Sequence, residues 1–483
     1  MSEQVRLPNM DRRNFLKAAG VFTGGLVGLG GLAWSQRLGA GVPGKLTSVT
    51  TKIMHVGFTD GFVSMPAQGA PLPPFYPDPL APAPFTTYVF GIRDLTSLAG
   101  ADDQRPPTAA MFGQAGKAQI SAPFLVVDEG QDFRVHLNNL GLRERGDLVD
   151  SHTLHWHGFT NQIPYFDGVP DNSLAVPIGR QLTYRYVPRD PGTYMYHCHF
   201  EDVEHVHMGM TGIVFVRPLM NQGPAINGHT KFAYNDERTW YDREHAILLS
   251  EINNYAHWND RHLQDTDWSE YKANWRLMNG RAYPDTIVPN IDVLAADGSL
   301  GALERLRYQP NSALIQANSG DRVLLRISNL GYEEHSLELP GIPMWVVGRD
   351  AKPLLSGRPD YGVDPKLATD VPPAGTRGDI SWMTYRLDLG PGESRDIIFK
   401  APVVGPGEKR VFSLFDRNYG FVKNSGNVAL GIGGMRTQIH VYGPTTGGLP
   451  GLPAQVAPNA VYVHDHYPAA NTGAFTLASG TSI

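Results

Sequence analysis

Residues 124–141 read FLVVDEGQDFRVHLNNLG, and residues 313–331 read ALIQANSGDRVLLRISNLG. Each is a pair of short apolar-alternating runs around a glycine turn, the pattern of a β-hairpin-like unit with one buried face. Gly130 matches Gly320 and Asn139 matches Asn329, both 190 residues apart. Each copy leads on to a histidine, His152 in the first and His335 in the second. Pro177 to Pro188 and Pro391 to Pro402 also match, each a turn followed by an alternating strand. A repeat unit of this size is a duplicated domain rather than a solenoid. Alternating strands with Gly, Pro and Asn turns predict an all-β chain of two β-sandwiches. A short helix is expected at Asp267 to Met278, and a Pro-rich, loop-like region at roughly residues 66 to 110.

Composition agrees. The chain has 483 residues, with 53 glycines and 38 prolines, a share that suits many turns and disfavours long helices. Hydrophobic residues are 41% and charged residues 18%, which excludes a disordered chain and a membrane bundle. The net charge of −6 disfavours a nucleic-acid partner. One cysteine, Cys198, excludes an intrachain disulfide and a four-cysteine zinc site, while the 17 histidines cluster.

The first cluster is Ser151-His152-Thr153-Leu154-His155-Trp156-His157-Gly158, and the second runs from Tyr194 to Met210 through His197-Cys198-His199, His205 and His207. Both read as extended, so successive side chains alternate between faces. His155 and His157 share a face with His152 opposite, and His197 and His199 share a face with Cys198 opposite. Two metal sites back to back follow. His152, Cys198, His205 and Met210 offer two imidazoles, a thiolate and a thioether, the donor set of a type 1 electron-transfer copper. Zinc would recruit more thiolates or a water. His155, His157, His197 and His199 form an all-imidazole set suited to copper that handles dioxygen. The Cys198 backbone joins the two sets. His207 reads as a neighbour of the site on a loop, and His136, His229, His245, His257 and His262 as satisfied or exposed residues.

These motifs resemble the multicopper oxidases, a cupredoxin-fold family that includes laccases, ferroxidases and, more distantly, copper nitrite reductases. His152 to Gly158 is similar to the family's H-x-x-H-x-H-G motif, and His197 to Met210 to its H-C-H…H-x-x-x-x-M motif. Asn161 to Pro170 also looks like the family's first domain, and Asn279-Gly280-Arg281 and Trp345 to Asp350 like its later ones. The resemblance implies two cupredoxin-like Greek-key domains, a copper-bearing one at 41–222 and a copper-poor one at 223–445, followed by an irregular tail at 446–483. It implies a type 1 copper on His152, Cys198, His205 and Met210 that accepts electrons from a phenolic or metal-ion reductant. It implies a trinuclear copper cluster on His155, His157, His197 and His199 that reduces dioxygen to water.

Three departures qualify the resemblance. The Cys198-to-His205 loop is longer than in typical laccases and acidic (Glu201, Asp202, Glu204), and reads as solvated more readily than as a binder of a cationic donor. The type 1 set lies in the first domain. A trinuclear cluster takes about twice the histidines that the first copy supplies, and the second copy has Glu338 and Pro340 where His155 and His157 stand. His464 and His466 in the tail offer part of the remainder across a subunit interface, which would imply a homotrimer. A nitrite reductase with copper on His157, His197 and a neighbour's histidine, and an electron carrier with the type 1 site alone, are the alternatives. Histidine at both 155 and 199 favours the oxidase.

Asp11-Arg12-Arg13-Asn14-Phe15-Leu16-Lys17, followed by a Gly-rich apolar stretch to Trp34, resembles a twin-arginine export signal over residues 1–40. The expected location is periplasmic or secreted, with no stable membrane insertion after export.

Overall fold

The computed structural model describes residues 50–66, 74–99, 107–159, 163–291, 295–355, 380–418, 434–445, 447–452 and 455. The export-signal residues Arg12 and Arg13 and the tail pair His464 and His466 lie outside them.

The first copy of the repeat forms the strands Leu125–Asp128 and Asp132–Gly141, and the second forms Ile315–Asn318 and Arg322–Asn329. Gly130 (φ 82°) and Gly320 (φ 84°) make the two turns with left-handed backbone, which only glycine enters without steric cost. Four sheets result among the described residues. In the N-terminal half, Thr51–Val63 pairs with Thr87–Asp94 on one side and runs parallel to Asp132–Gly141 on the other, with Gln181–Tyr186 beyond. The facing sheet orders Leu125–Asp128, Thr211–Arg217, Gly192–His197 and His155–His157. Their inward faces enclose a core that includes Phe58, Leu137, Trp156, Tyr184, Tyr196 and Cys198.

The C-terminal half repeats the plan with a seven-stranded and a five-stranded sheet around Ile247, Leu325, Leu337, Ile397, Leu414 and Ile439. Between the halves, Phe124, Met195 and Phe215 pack on Ala246, Leu248 and Leu330. A buried ionic set sits beside this seam. Glu244 receives Arg217 and Arg326, both at 2.6 Å, and Arg326 reaches Asp396 at 3.3 Å. Burial alone would raise the Glu244 carboxyl, but the two guanidiniums pull it down to about 2.

Three local expectations are corrected. Asp267 to Met278 holds a 3-10 turn, Trp268–Glu270, and a strand, Trp275–Met278, because its aromatic and β-compatible residues pair antiparallel with Arg243–Ile252. The Pro-rich region contains the strand Thr87–Asp94, whose side chains are buried throughout. The segment Tyr194–Met210 is extended only to His197, after which Asp202–Met208 is helical.

Candidate metal centre

Register places the imidazoles. His155–His157 lies antiparallel to Gly192–His197, with His155 opposite His197, Trp156 opposite Tyr196 and His157 opposite Met195. Opposite residues of such a pair project to one face, so His155, His157 and His197 point outward while Trp156 and Tyr196 enter the core. Their ligand nitrogens lie within 4.8 Å of one another. His155 Nδ1 donates to the Asp167 carbonyl at 2.6 Å, and His197 Nδ1 donates to the Cys198 carbonyl at 2.7 Å. A carbonyl only accepts, so these bonds fix the tautomer and leave Nε2 as the donor to a metal. Burial lowers His155 and His157 and takes His197 down to about 3, so the set is neutral and ready to ligate at neutral pH.

His199 packs its ring at 5.1 Å from His155 and 5.6 Å from His197. It is part of the imidazole cluster but outside its tightest three-residue set.

Cys198 continues the parity of Trp156's partner Tyr196 and is fully buried. His152, held by backbone pairing to Val176, and His205, on the helix Asp202–Met208, close on it. Cys198 Sγ lies 3.7 Å from His152 Nδ1 and 3.4 Å from His205 Nδ1, and all three side chains are inaccessible. The outer Nε2 atoms of both histidines have no hydrogen-bond partner. Two imidazole Nδ1 atoms and a cysteine sulfur converging in a dry pocket fit a copper ion. Met210 is buried in the same core and ties the site's backbone, its carbonyl accepting from Cys198 N–H at 3.2 Å and its N–H donating to the His205 carbonyl at 3.0 Å.

Carboxylates surround the outer edge of His205. Its Nε2 lies 3.6 Å from Asp150 Oδ2 and 3.9 Å from Glu201 Oε2. Burial opposes protonation of His205, but Cys198 and Asp150 overcome it and raise the imidazole to about 10 in the metal-free chain. Below, burial pushes Glu204 up, with Glu201 and Asp150 adding to it, and burial with the neighbouring Glu204 raises Asp260 to about 7. They line a cavity of about 500 Å³ with Arg145, Leu148, Met208 and Trp268. The acidic segment is therefore solvated at Glu201 and Asp202, as expected, but it opens a helix rather than a loop, and Glu204 is partly buried.

Residues 111–221 match the family described as multicopper oxidase. The match covers the segment that holds both histidine clusters and Cys198. Among curated relatives, it is 34% identical over 74 residues to mouse ceruloplasmin, covering 15% of this chain and 7% of the relative. It is 29% identical over 109 residues to laccase-like multicopper oxidase 1 of Thermothelomyces thermophilus, covering 22% and 15%. It is 29% identical over 235 residues to laccase-13 of Arabidopsis thaliana, covering 46% and 36%. The matches thus span well under half the length of these relatives. Among solved structures, the blue copper oxidase of Nitrosomonas europaea superposes with a TM-score of 0.50 at 18% identity, covering 81% of this chain and 86% of that one. The multicopper oxidase mgLAC does so with a TM-score of 0.50 at 19% identity, covering 85% and 90%. These likenesses establish the cupredoxin-like β fold.

The second half of this chain carries no cysteine. His335 stands at the position of His152, but both its nitrogens are engaged by Glu251 and Asp416. Glu338 lies 3.8 Å from Arg417. Of the lone histidines, His136 bonds Thr183, His245 the Gln316 carbonyl, His257 the Tyr88 carbonyl and His262 Asp78, while His229 stacks on Trp240. Asp150, Asp167, Glu251 and Asp260 are site-shaping groups that sequence reading passes over. Asp150 alone had a local signal, two residues before His152.

Proposed function

We propose that this chain is an exported multicopper oxidase that couples one-electron oxidation of a small reducing substrate to reduction of dioxygen to water. The convergence of His152 Nδ1, Cys198 Sγ and His205 Nδ1, back to back with the His155, His157 and His197 imidazoles, is the observation that carries this reading. Copper in the two sets would supply single-electron acceptance at the thiolate and dioxygen reduction at the imidazoles. Met210 completes the first set and His199 the second. We read the chain as two Greek-key cupredoxin domains at 41–222 and 223–445 after a twin-arginine signal, with delivery to the periplasm or beyond. Among the described residues, no helix is long and apolar enough to cross a membrane.

The protein's own contribution is arrangement. Cys198 is bonded through the backbone to His197 and His199, and the His197 Nδ1–H to Cys198 carbonyl bond adds a second connection between the sets. Asp167 orients His155 through its carbonyl. Trp156 and Tyr196 exclude water from the side of the thiolate. Asp150 and Glu201 put negative charge at the outer nitrogen of His205, which draws a cation and favours a reducing metal ion over a neutral phenol. Oxygen uptake driven by Fe(II) and by an uncharged phenol tests both levels. Asp150→Asn and Glu201→Gln should raise KM severalfold for Fe(II) and leave it unchanged for the phenol. Equal effects on the two donors would reject the metal-ion preference, and no uptake with either would reject the oxidase.

A second reading is favoured by one observation. Among the described residues, no metal-capable group brings a histidine of the second half to His155, His157 and His197. A type 1 electron carrier needs none. One copper per chain with no oxygen uptake would select it.

A further inference from the structure

The helix that supplies His205 has little stability of its own. Asp202–Met208 is seven residues long, and the residue before it, Glu201, has φ 50° and gives no side-chain cap. A helix this short is marginal in isolation, and an absent cap removes a further bond. Its geometry must therefore be imposed by what it touches.

Phe90 and Phe200 pack on His205 from the first half, and Met208 enters the first core. A further contact comes from the second copy, next to His335, the counterpart of His152. Both copies build the same asparagine turn. Asn139 Oδ1 accepts from Gly141 N–H, and its amide donates to the Asp150 and Val176 carbonyls. Asn329 Oδ1 accepts from Gly331 N–H, and its amide donates to the Glu333 and Leu389 carbonyls. After the first turn comes His152 facing Cys198. After the second comes His335 facing Asp416, with Nδ1 2.8 Å from Asp416 Oδ2 and Nε2 2.6 Å from Glu251 Oε1. All three side chains are buried. An imidazole with a carboxylate on each nitrogen donates to both, which only the protonated ring does.

This bridge seats Tyr332. The second oxygen of Glu251 accepts the Tyr332 N–H at 2.7 Å. Glycine at 331 permits the approach, since a Cβ there would fall 2.1 Å from Glu251 Oε1. Tyr332 then turns back onto the ligand helix. Its O–H donates to the Val203 carbonyl, and its ring stacks on His207 at 5.6 Å with an interplanar angle of 26°. His207 Nε2 also accepts from Asn253 N–H at 3.2 Å. Val203 and His207 lie two residues either side of His205, so the ties straddle the ligand.

We infer that Tyr332, seated by the Glu251–His335–Asp416 bridge, is a positioning residue that holds His205 in register with Cys198 and His152. The inference rests on the type 1 reading of those three residues. Where the first copy sets His152 against Cys198, the second sets His335 between two carboxylates, and that bracket supports the ligand helix of the first.

The single cysteine supplies a readout that needs no metal. In the metal-free full chain, Cys198 reacts with a disulfide reagent only when the helix opens. Losing one hydrogen bond should make Tyr332→Phe react about fivefold faster, and Gly331→Ala, which displaces Glu251, at least as fast. Ile397→Val, a trim in the second core, serves as a control for lowered overall stability and should leave the rate unchanged. In the copper-loaded protein, Tyr332→Phe should keep its copper content while its thiolate-to-copper absorption and its reduction potential shift. A merely structural tyrosine would lower the unfolding midpoint and move none of these. Wild-type thiol reactivity and an unshifted spectrum in Tyr332→Phe would overturn the inference. A wild-type protein lacking any thiolate-to-copper band would instead reject the type 1 reading, and the metal-free rates would still decide whether Tyr332 holds the helix. Should Gly331→Ala not fold, Tyr332→Phe carries the test alone.

Discussion

The charge on His335 predicts a specific pH dependence of stability. Burial disfavours the imidazolium, but Asp416 and Glu251 outweigh it and raise the group from 6.5 to about 9. A group raised on folding stabilises the native state fully below its unfolded value, near 6.5, and loses that contribution as pH climbs through its folded value. The rise is worth on the order of 3 kcal/mol, so the loss should fall between about pH 6.5 and 9. Other groups titrate in this window, among them Lys52, lowered to about 8 chiefly by burial. The informative quantity is therefore the difference between wild type and His335→Gln, in which shared groups cancel. Urea unfolding at matched ionic strength between pH 6 and pH 10 would give that difference. Wild type should exceed the variant most at pH 6, with the margin shrinking by roughly 3 kcal/mol by pH 10. Parallel profiles across the range would refute the charged bridge and, with it, the account of how Glu251 is held.

Cys198→Ser should remove the intense visible band of thiolate-bound Cu(II) and stop electron uptake while the fold survives, checked by absorption and circular dichroism; a persisting band would remove Cys198 from the site. Gly168→Ala should disorder the dioxygen-side set, because its φ is +80° and a Cβ would sit 2.3 Å from the Leu154 carbonyl and 2.6 Å from His155 N. Metal analysis should then show loss of copper from the imidazole set with the visible band retained. Arg326→Leu leaves Glu244 and Asp396 buried with an unbalanced charge and should cost about 3–5 kcal/mol in denaturant unfolding.

How far the sequence spoke for itself can be judged residue by residue. Strand parity put His155 with His157, and His197 opposite to Cys198, because a two-residue period is a property of the backbone and needs no tertiary knowledge. The repeat likewise placed the two glycine turns. The helix at Asp202–Met208 was not readable: seven residues without a cap carry too weak a signal, and its ties come from Asn253 and Tyr332, distant in sequence. Nor was the fate of His335 readable. The absence of the all-imidazole set from the second copy was visible in Glu338 and Pro340, but Glu251 arrives from a strand 84 residues away. The acidic residues 201–204 were visible as charge, and only the structure placed Glu201 beside His205.

Copper analysis of the purified, copper-loaded chain, paired with oxygen uptake, bears most directly on the central claim. The account predicts about four coppers per chain, with one dioxygen consumed for every four electrons drawn from the reductant. A single copper per chain, bound and reducible but with no oxygen consumed, would contradict it.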